Sequence, residues 1–542
     1  MPTPSLRACR AAGLARLGVW AAALVGSAAA STMVWRVVLL TVAVAMGGCA
    51  VLPSHVERPS SFAREDVADT QLARIATAST ADGEHELSGF RLLPDGAEAF
   101  AARIALIRRA EKTIDVQYYV IASDRTGHEF LRELQAAAAR GVRVRILVDD
   151  LYATGEDALF AGLAAHDNVE VRMFNPLPVR RGSFGQRILL SLHQFSRINH
   201  RMHNKLFIAD GSFAVTGGRN IADEYFDRGG DANFIDMDVL STGPVVQKLA
   251  AVFDRYWNAD IVYPVQSLVG GAASRHASAQ QVGEPPAEAT AEPDAESVEA
   301  GLASGRLAFE RADAEVFADA PQKASGDTGE ATVAEAHLEL LGSAASSVLL
   351  ASPYFVPGER EMRALSAIRS HDVSVSVLTN SLATTDEPLV HYGYARHRAA
   401  LLDAGVELHE LRPSAEVGAE AKSSFGSSGR GSSSLGRLHT KLSVVDGERA
   451  FVGSMNMDGR SAHLNTEAGI LIHSRTLAAL VVRFLREHEK ERSYQVRLDG
   501  DRLRWSSGEG SSRQTRSDEP RAASAPVLPV RVLAQLLGEG LL

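Results

Sequence analysis

His203, Lys205, Asp210, Gly218 and Asn220 recur as His439, Lys441, Asp446, Ser454 and Asn456, each 236 residues further along the chain. The two stretches read HNKLFIADGSFAVTGGRN and HTKLSVVDGERAFVGSMN. A lone histidine near a lysine is ordinarily surface decoration, but two copies with the spacing H-x-K-x4-D-x6-G-[GS]-x-N point to chemistry. A neutral imidazole can approach a phosphodiester whose charge repels anionic nucleophiles. Lysine ammoniums and asparagine amides then hold the nonbridging oxygens as charge builds in the transition state. One histidine attacks phosphorus; the other protonates the leaving oxygen and later deprotonates the incoming alcohol or water. The lysines already supply positive charge, so neither a metal nor another cofactor is expected. Both copies must meet at one phosphate.

That demand falls on the elements around the motif. Side chains of a strand alternate with a period of two, so His203 and Lys205 leave one face, as do His439 and Lys441. Upstream, TIDVQYYVI and GVRVRILVDD read as strands around the helix GHEFLRELQAAAAR. SSVLLASPYFVP, EREMRALSAIRS and DVSVSVLTNS repeat the order, and Tyr354 follows Tyr118 by the same 236 residues. The expected fold is α/β: two duplicated domains, each a mixed sheet flanked by helices, sharing one active site at a pseudo-twofold interface. They are placed at residues 86–265 and 305–500, so a monomer suffices for one site. Residues 49–85 read as an N-terminal tether and 266–304, rich in Pro, Ala and Glu, as a flexible linker. Residues 501–542 read as a flexible tail with an apolar C-terminal helix. The serine-rich stretch 422–436 reads as a mobile loop at the mouth of the site.

The chain has 542 residues, enough for two cores, and carries a net charge of −10 with an isoelectric point near 6.0. That balance gives no general attraction to nucleic acid. Both cysteines, Cys9 and Cys49, lie in the first fifty residues, so the body has no thiol for a disulfide or a metal. Residues 17–30 and 37–46 are apolar runs too short for a comfortable membrane span. The second ends in VAMGGCA, which resembles the lipobox of a bacterial lipoprotein, with Met46 where leucine is usual. Residues 1–48 are therefore read as a lipoprotein-type signal, compact if translation starts at Met33, and Cys49 as the lipidated first residue. The expected location is the periplasmic side of a membrane.

The doubled motif is similar to that of the phospholipase D superfamily. The resemblance implies two α/β halves with one shared site and a phosphohistidine intermediate formed without a metal. Catalytic roles carry over to His203, Lys205, His439 and Lys441. Phosphate binding carries over to Asn220, Asn456, Ser454 and Gly218, the last standing where many members have serine. Asp210 and Asp446 complete the catalytic motif, with support of strand and turn as their task. The acids that orient the opposing histidines are Glu467 in NTEAGI and, by alignment, Asp238 in DMDVL, with Asp236 as the alternative. HRMHNKLFIADG, TGGRNIADEYF, MDGRSAHLNTEAGI and the block TNSLATTDEPLVHYGYARHRAALLDAGVELHELRP resemble bacterial cardiolipin synthases of the third type, over roughly residues 90–500. That implies transfer of a phosphatidyl group from phosphatidylethanolamine or phosphatidylglycerol to phosphatidylglycerol, with an accessory membrane protein left open.

Residues 171–209 hold seven arginines or lysines and no acid. Within them RILLSLHQFSRINHR sets Ile188, Leu192, Phe195 and Ile198 near one helical face. A basic amphipathic helix suits an anionic membrane surface; burial with solvated arginines is the plainer reading. A hydrolase releasing phosphatidic acid would share every catalytic residue. A nuclease calls for a broad basic groove that an acidic chain does not suggest, and a noncatalytic scaffold fits poorly with two intact motifs.

Overall fold

The computed structural model describes residues 52–520 apart from 54, 81–85, 154–155, 178–190, 192–193, 231–232, 270–296, 328, 414–435 and 509–512. In the first half, strands Thr113–Tyr118, Arg143–Asp149 and Val169–Phe174 run parallel, joined by helices Arg125–Ala139 and Asp157–Leu163. These strands are almost wholly buried, as parallel strands covered on both faces must be. The motif strand Leu206–Ala209 adds antiparallel to the first of them and turns into Phe213–Gly217, which pairs with Asp238–Thr242. The second half repeats the plan. Ser347–Ala351, Ser374–Asn380 and Glu407–Leu411 are parallel, and Leu442–Val445, Arg449–Gly453 and Ala468–His473 follow antiparallel. Two mixed α/β sheets flanked by helices are present, as the duplication implies.

The motif aspartates fix the hairpin turns. Asp210 and Asp446 have φ of 47° and 57°, in the left-handed region that Asp tolerates better than most residues. Asp210 accepts the backbone N–H groups of Glu111, Lys112 and Thr113 at 2.8–2.9 Å. Asp446 accepts those of Ala345, Ser346 and Ser347. Each carboxylate thus ties the motif hairpin to the start of the neighbouring strand, at the end of the motif strand remote from the lysine. Their place in a catalytic set is corrected: the strand-and-turn role is the one they perform.

Strand Glu310–Ala318 joins the halves. Its residues Glu310–Ala312 pair with Ser88–Phe90 of the first half, and Asp313–Ala318 pair with Ala468–His473 of the second. The two sheets are thereby joined into one, of 18 strands among the described residues. Phe253 and Trp257 share one hydrophobic cluster with Val444, Ile470 and Leu485, so the interface between halves is core rather than surface.

Three expected boundaries move. The presumed tether packs on the first domain: Leu72 and Ile75 of helix Gln71–Ser79 are buried, and the N–H groups of Ser61 and Ala63 donate to Asn258 and Asp254. The end of the presumed linker is a helix, Val298–Ser304, whose Val298 and Leu302 join the first domain's core beside helix Gly96–Arg109. The second domain continues past residue 500, because strands Arg502–Ser507 and Gln514–Arg516 extend its sheet. Beyond them, Glu519 meets Arg398 at 2.6 Å and His391 at 2.9 Å. The HYGYAR block therefore fastens this extension.

The equal spacing of Tyr118 and Tyr354 does not make them counterparts. Ile114 pairs with Ala209 as Val348 pairs with Val445, so this strand repeats after 234 residues and Ser352 answers Tyr118. The expected signal with Cys49, the centre of the expected linker, Ile188 and Leu192, the serine-rich stretch 422–435 and the apolar C-terminal stretch lie outside the described residues. Of the basic segment, helix Phe195–Asn199 is described, and its Ile198 packs against Leu151 and Leu177. Among the described residues no helix is long and apolar enough to cross a membrane.

Candidate active site

Each histidine is held by the half that did not supply it. The N–H of His203 donates to Thr466 O at 2.9 Å, and that of His439 donates to Ile235 O at 2.9 Å. The next residues, Glu467 and Asp236, then meet the opposing rings. Nδ1 of His203 lies 2.9 and 3.1 Å from the Glu467 oxygens, and Nδ1 of His439 lies 2.7 Å from Asp236. An ionised carboxylate only accepts, so each Nδ1 carries the hydrogen and each Nε2 keeps a lone pair. All four side chains are buried.

Strand register explains which acid serves. Gly217 faces Asp238 across the first sheet, and Gly453 faces Gly469 across the second. Two residues earlier in each case stand Asp236 and Glu467, which are therefore counterparts. Asp238, favoured by alignment, is corrected: its carboxylate pairs with Arg103 at 2.8 Å and Arg219 at 3.5 Å. Alignment slipped by two because the DMD stretch offers two acids of the same period.

Two residues expected to bind phosphate support the acids instead. Ser454 Oγ donates to Glu467 at 2.5 Å and accepts the N–H of Ala468 at 3.0 Å. Gly218 donates its N–H to Met237 O, and a Cβ built there would stand 2.2 Å from Asp236 Oδ1. The shorter acid lies against the backbone, and glycine is what leaves it room. Asn220 binds Tyr225 OH at 3.0 Å through Nδ2 and accepts Val120 N–H at 3.3 Å. Asn456 Oδ1 is buried with no hydrogen-bond partner among the described residues.

The cations converge. Burial pushes both histidines down to about 4; Glu467 and Asp236 oppose that shift, and the Lys441 charge adds to it on both rings. Burial also pushes Lys205 down to about 7 and Lys441 to about 8, against the pull of Glu467 and Asp236. Such a set is poised for an anion, whose charge would restore both ammoniums. Lys205 Nζ donates to His203 O at 2.6 Å. Lys441 Nζ sits beside its histidine ring, 3.2 Å from His439 Nε2.

A family model described as "Cardiolipin synthase, PLD-like domain" matches the chain twice, over residues 104–257 and 337–488, each match enclosing one motif. The chain belongs to the PLD-like cardiolipin synthase family. Cardiolipin synthase C of Escherichia coli is 38% identical over 419 residues, 75% of this chain and 86% of that protein. A cardiolipin synthase of Geobacillus kaustophilus is 27% identical over 77% of this chain and 72% of its own length. Among solved structures, the phosphatidylserine synthase of Haemophilus influenzae shares the fold, with a TM-score of 0.51 at 14% identity over 75% of this chain and 87% of that one.

Membership in the PLD-like cardiolipin synthase family makes the chain a phospholipid-modifying enzyme. Sequence reasoning missed the aromatic walls of its site. Tyr119 stands edge-on to His203 with centroids 5.0 Å apart, and Tyr225 stands edge-on to His439 at 5.0 Å, with Phe234 at 4.9 Å. Tyr225 OH lies 3.5 Å from His439 Nε2. The segment TGGRNIADEYF carries Tyr225, but nothing in its spacing to the motif marks it. Asp386, which accepts Tyr354 OH at 2.7 Å and adds negative charge near His439 and Lys441, was likewise unmarked.

Proposed function

We propose that the protein is a phosphatidyltransferase that makes cardiolipin, moving a phosphatidyl group from phosphatidylethanolamine or phosphatidylglycerol to phosphatidylglycerol through a phosphohistidine. The observation that carries this reading is the crossed pairing of His203 with Glu467 and His439 with Asp236. Two imidazoles, each held at Nδ1 by a carboxylate of the opposing half, share one buried site with Lys205 and Lys441. His203 is the nucleophile. Both lysines donate to the carbonyl oxygen of their own histidine, but Lys441 also lies beside the His439 ring and, with Tyr225, crowds its Nε2, a placing suited to passing a proton.

In the first step the His203 nitrogen bonds to phosphorus as the bond to the donor's headgroup oxygen breaks; His439, which takes up a proton at Nε2 when the negatively charged phosphodiester binds, gives that proton to the departing oxygen. In the second, His439 takes the proton of the phosphatidylglycerol hydroxyl, whose oxygen bonds to phosphorus as the N–P bond breaks. Asn220, Asn456, Lys205 and Lys441 hold the nonbridging oxygens. Exchange of one phosphodiester for another is nearly balanced in bond energy and requires no nucleotide. It therefore suits an enzyme anchored through Cys49 on the periplasmic side of a membrane.

The test is to give the purified protein labelled phosphatidylglycerol, with and without phosphatidylethanolamine, in the presence of EDTA. Labelled cardiolipin is the expected product. Phosphatidic acid as the sole product would make the enzyme a hydrolase, and strict dependence on one added metal would contradict the mechanism. With an activated phosphatidyl donor, His439→Ala is expected to trap label on His203, and His203→Ala to trap none. Label on His439 in the His203→Ala protein would reverse the two roles.

A further inference from the structure

Behind the two lysines the halves of the site differ. Eleven residues before the matched strand positions Ile114 and Val348 stand Arg103 and His337; four residues after them stand Tyr118 and Ser352. Asp238 and Gly469 occupy matching positions on their strands, as do Phe207 and Ser443 on the motif strands. In the first half, Arg103 donates to Tyr118 OH at 3.0 Å and to Asp238 at 2.8 Å, so large side chains hold the matching positions. All four counterparts in the second half are smaller. A cavity of about 10 Å³ remains there, walled by His337, Ser352, Phe355, Lys441, Met455 and Met457.

One wall of that cavity carries an unmet polar atom. His337 is only 6% exposed, its Nε2 lies 3.0 Å from Ser443 Oγ, and its buried Nδ1 has no hydrogen-bond partner among the described residues. An orphaned nitrogen of this kind is costly unless something meets it, and the methionine, leucine and phenylalanine walls cannot. Lys441 also borders the cavity, and its described hydrogen bonds run to the carbonyl oxygen and ring of His439. The volume is on the order of what a single water requires, and the wall offers it polar partners of both kinds.

We propose that this cavity is a hydration site, in which one water bridges His337 Nδ1, Ser352 Oγ and the Lys441 ammonium, and that His337 is thereby a positioning residue for Lys441. The proposal rests on the phosphoryl-transfer reading of the site. A buried ammonium is costly in a dry interior, and the water returns part of its hydration. In the first half Arg103, Tyr118, Asp238 and Phe207 take the matching positions, and no such water is proposed there. The charged groups that face Lys441 are Asp236, Glu467, Asp386, Asp458 and Lys205; of these, Asp458 shares a second small cavity with His337.

His337→Phe fills the cavity and removes the nitrogen, whereas His337→Gln keeps a polar end that can hold the water. In His337→Phe the alkaline limb of kcat/KM is expected to move about one pH unit lower, a loss of about tenfold above that limb and of less at pH 6. His337→Gln is expected to keep the limb near its original position. An unmoved limb in a His337→Phe protein with an unchanged melting profile overturns the proposal. A high-resolution crystal structure of the unaltered enzyme decides it independently: ordered solvent bonded to His337 Nδ1 supports it, and a dry cavity overturns it even if the variant does not fold. Should the unaltered enzyme turn over neither lipid nor bis-p-nitrophenyl phosphate, the functional reading fails, while the crystal structure still decides the hydration.

Discussion

At the scale of single residues, the acids of the DMD stretch divide two tasks two positions apart. Asp236 orients the His439 ring, and Asp238 neutralises buried arginines. Asp236→Asn is therefore expected to lower kcat by about 100-fold or more with a small change in melting temperature, since it spoils the tautomer rather than the fold. Asp238→Asn strands Arg103 in the interior and is expected to destabilise the protein by about 3–5 kcal/mol. Chemical denaturation and steady-state kinetics on the two variants separate the roles; equal kinetic losses at unchanged stability would put Asp238 back in the site. The motif made the histidines, lysines and asparagines legible because two copies cannot match by chance. The choice between Asp236 and Asp238 was illegible because it depends on the register between strands Phe213–Gly217 and Asp238–Thr242, which sequence spacing does not reveal. Ser454 was misread for a related reason: its neighbour Glu467 is thirteen residues away in sequence and 2.5 Å away in space.

At the scale of elements, the motif hairpin is a clamp. One end is pinned by the carboxylate of Asp210 or Asp446, and the other presents the lysine and histidine. The glycine at 218 shows how tightly the far strand closes on it. Gly218→Ala places a methyl group within 2.2 Å of Asp236 Oδ1, so the acid must leave its histidine. Transfer activity is expected to fall at least about tenfold while circular dichroism stays unchanged, and near-normal activity would show that the Asp236 contact is dispensable. The strands and long helices were readable from their period. Helix Val298–Ser304 was not, because its seven residues, VEAGLAS, bury just two apolar side chains in a setting that otherwise looks like a linker. Strands Arg502–Ser507 and Gln514–Arg516 were hidden by a serine- and charge-rich composition, and what holds their far end is an ion cluster built from residues about 120 positions earlier.

At the scale of the whole molecule, buried histidines couple folding to acidity. His203, His337 and His439 are all pushed down to about 4 by burial, against an ordinary value of 6.5. Between those values the unfolded chain binds more protons than the folded one, so stability is complete above about pH 6.5 and is lost as pH falls toward 4. The lowered carboxyls of Asp236 and Glu467 act in the same direction at the acid end. The melting temperature is expected to drop by several degrees between pH 7 and pH 5, and a flat profile over that interval would show that these rings accept protons in the folded state without cost. The same interior that keeps the rings neutral for attack thus sets the acid limit of the fold.

Strand Glu310–Ala318, shared by both sheets, also bears on how the two halves can change over time. In an assembly of two identical chains, every substitution appears twice, so neither member can take on a task that would harm the other. One continuous polypeptide lifts that constraint: Arg103 and His337, Tyr118 and Ser352, Asp238 and Gly469 can drift apart independently while the shared strand keeps their partners in register. Larger side chains behind Lys205 opposite smaller ones behind Lys441 are a divergence that an assembly of two identical chains could not carry.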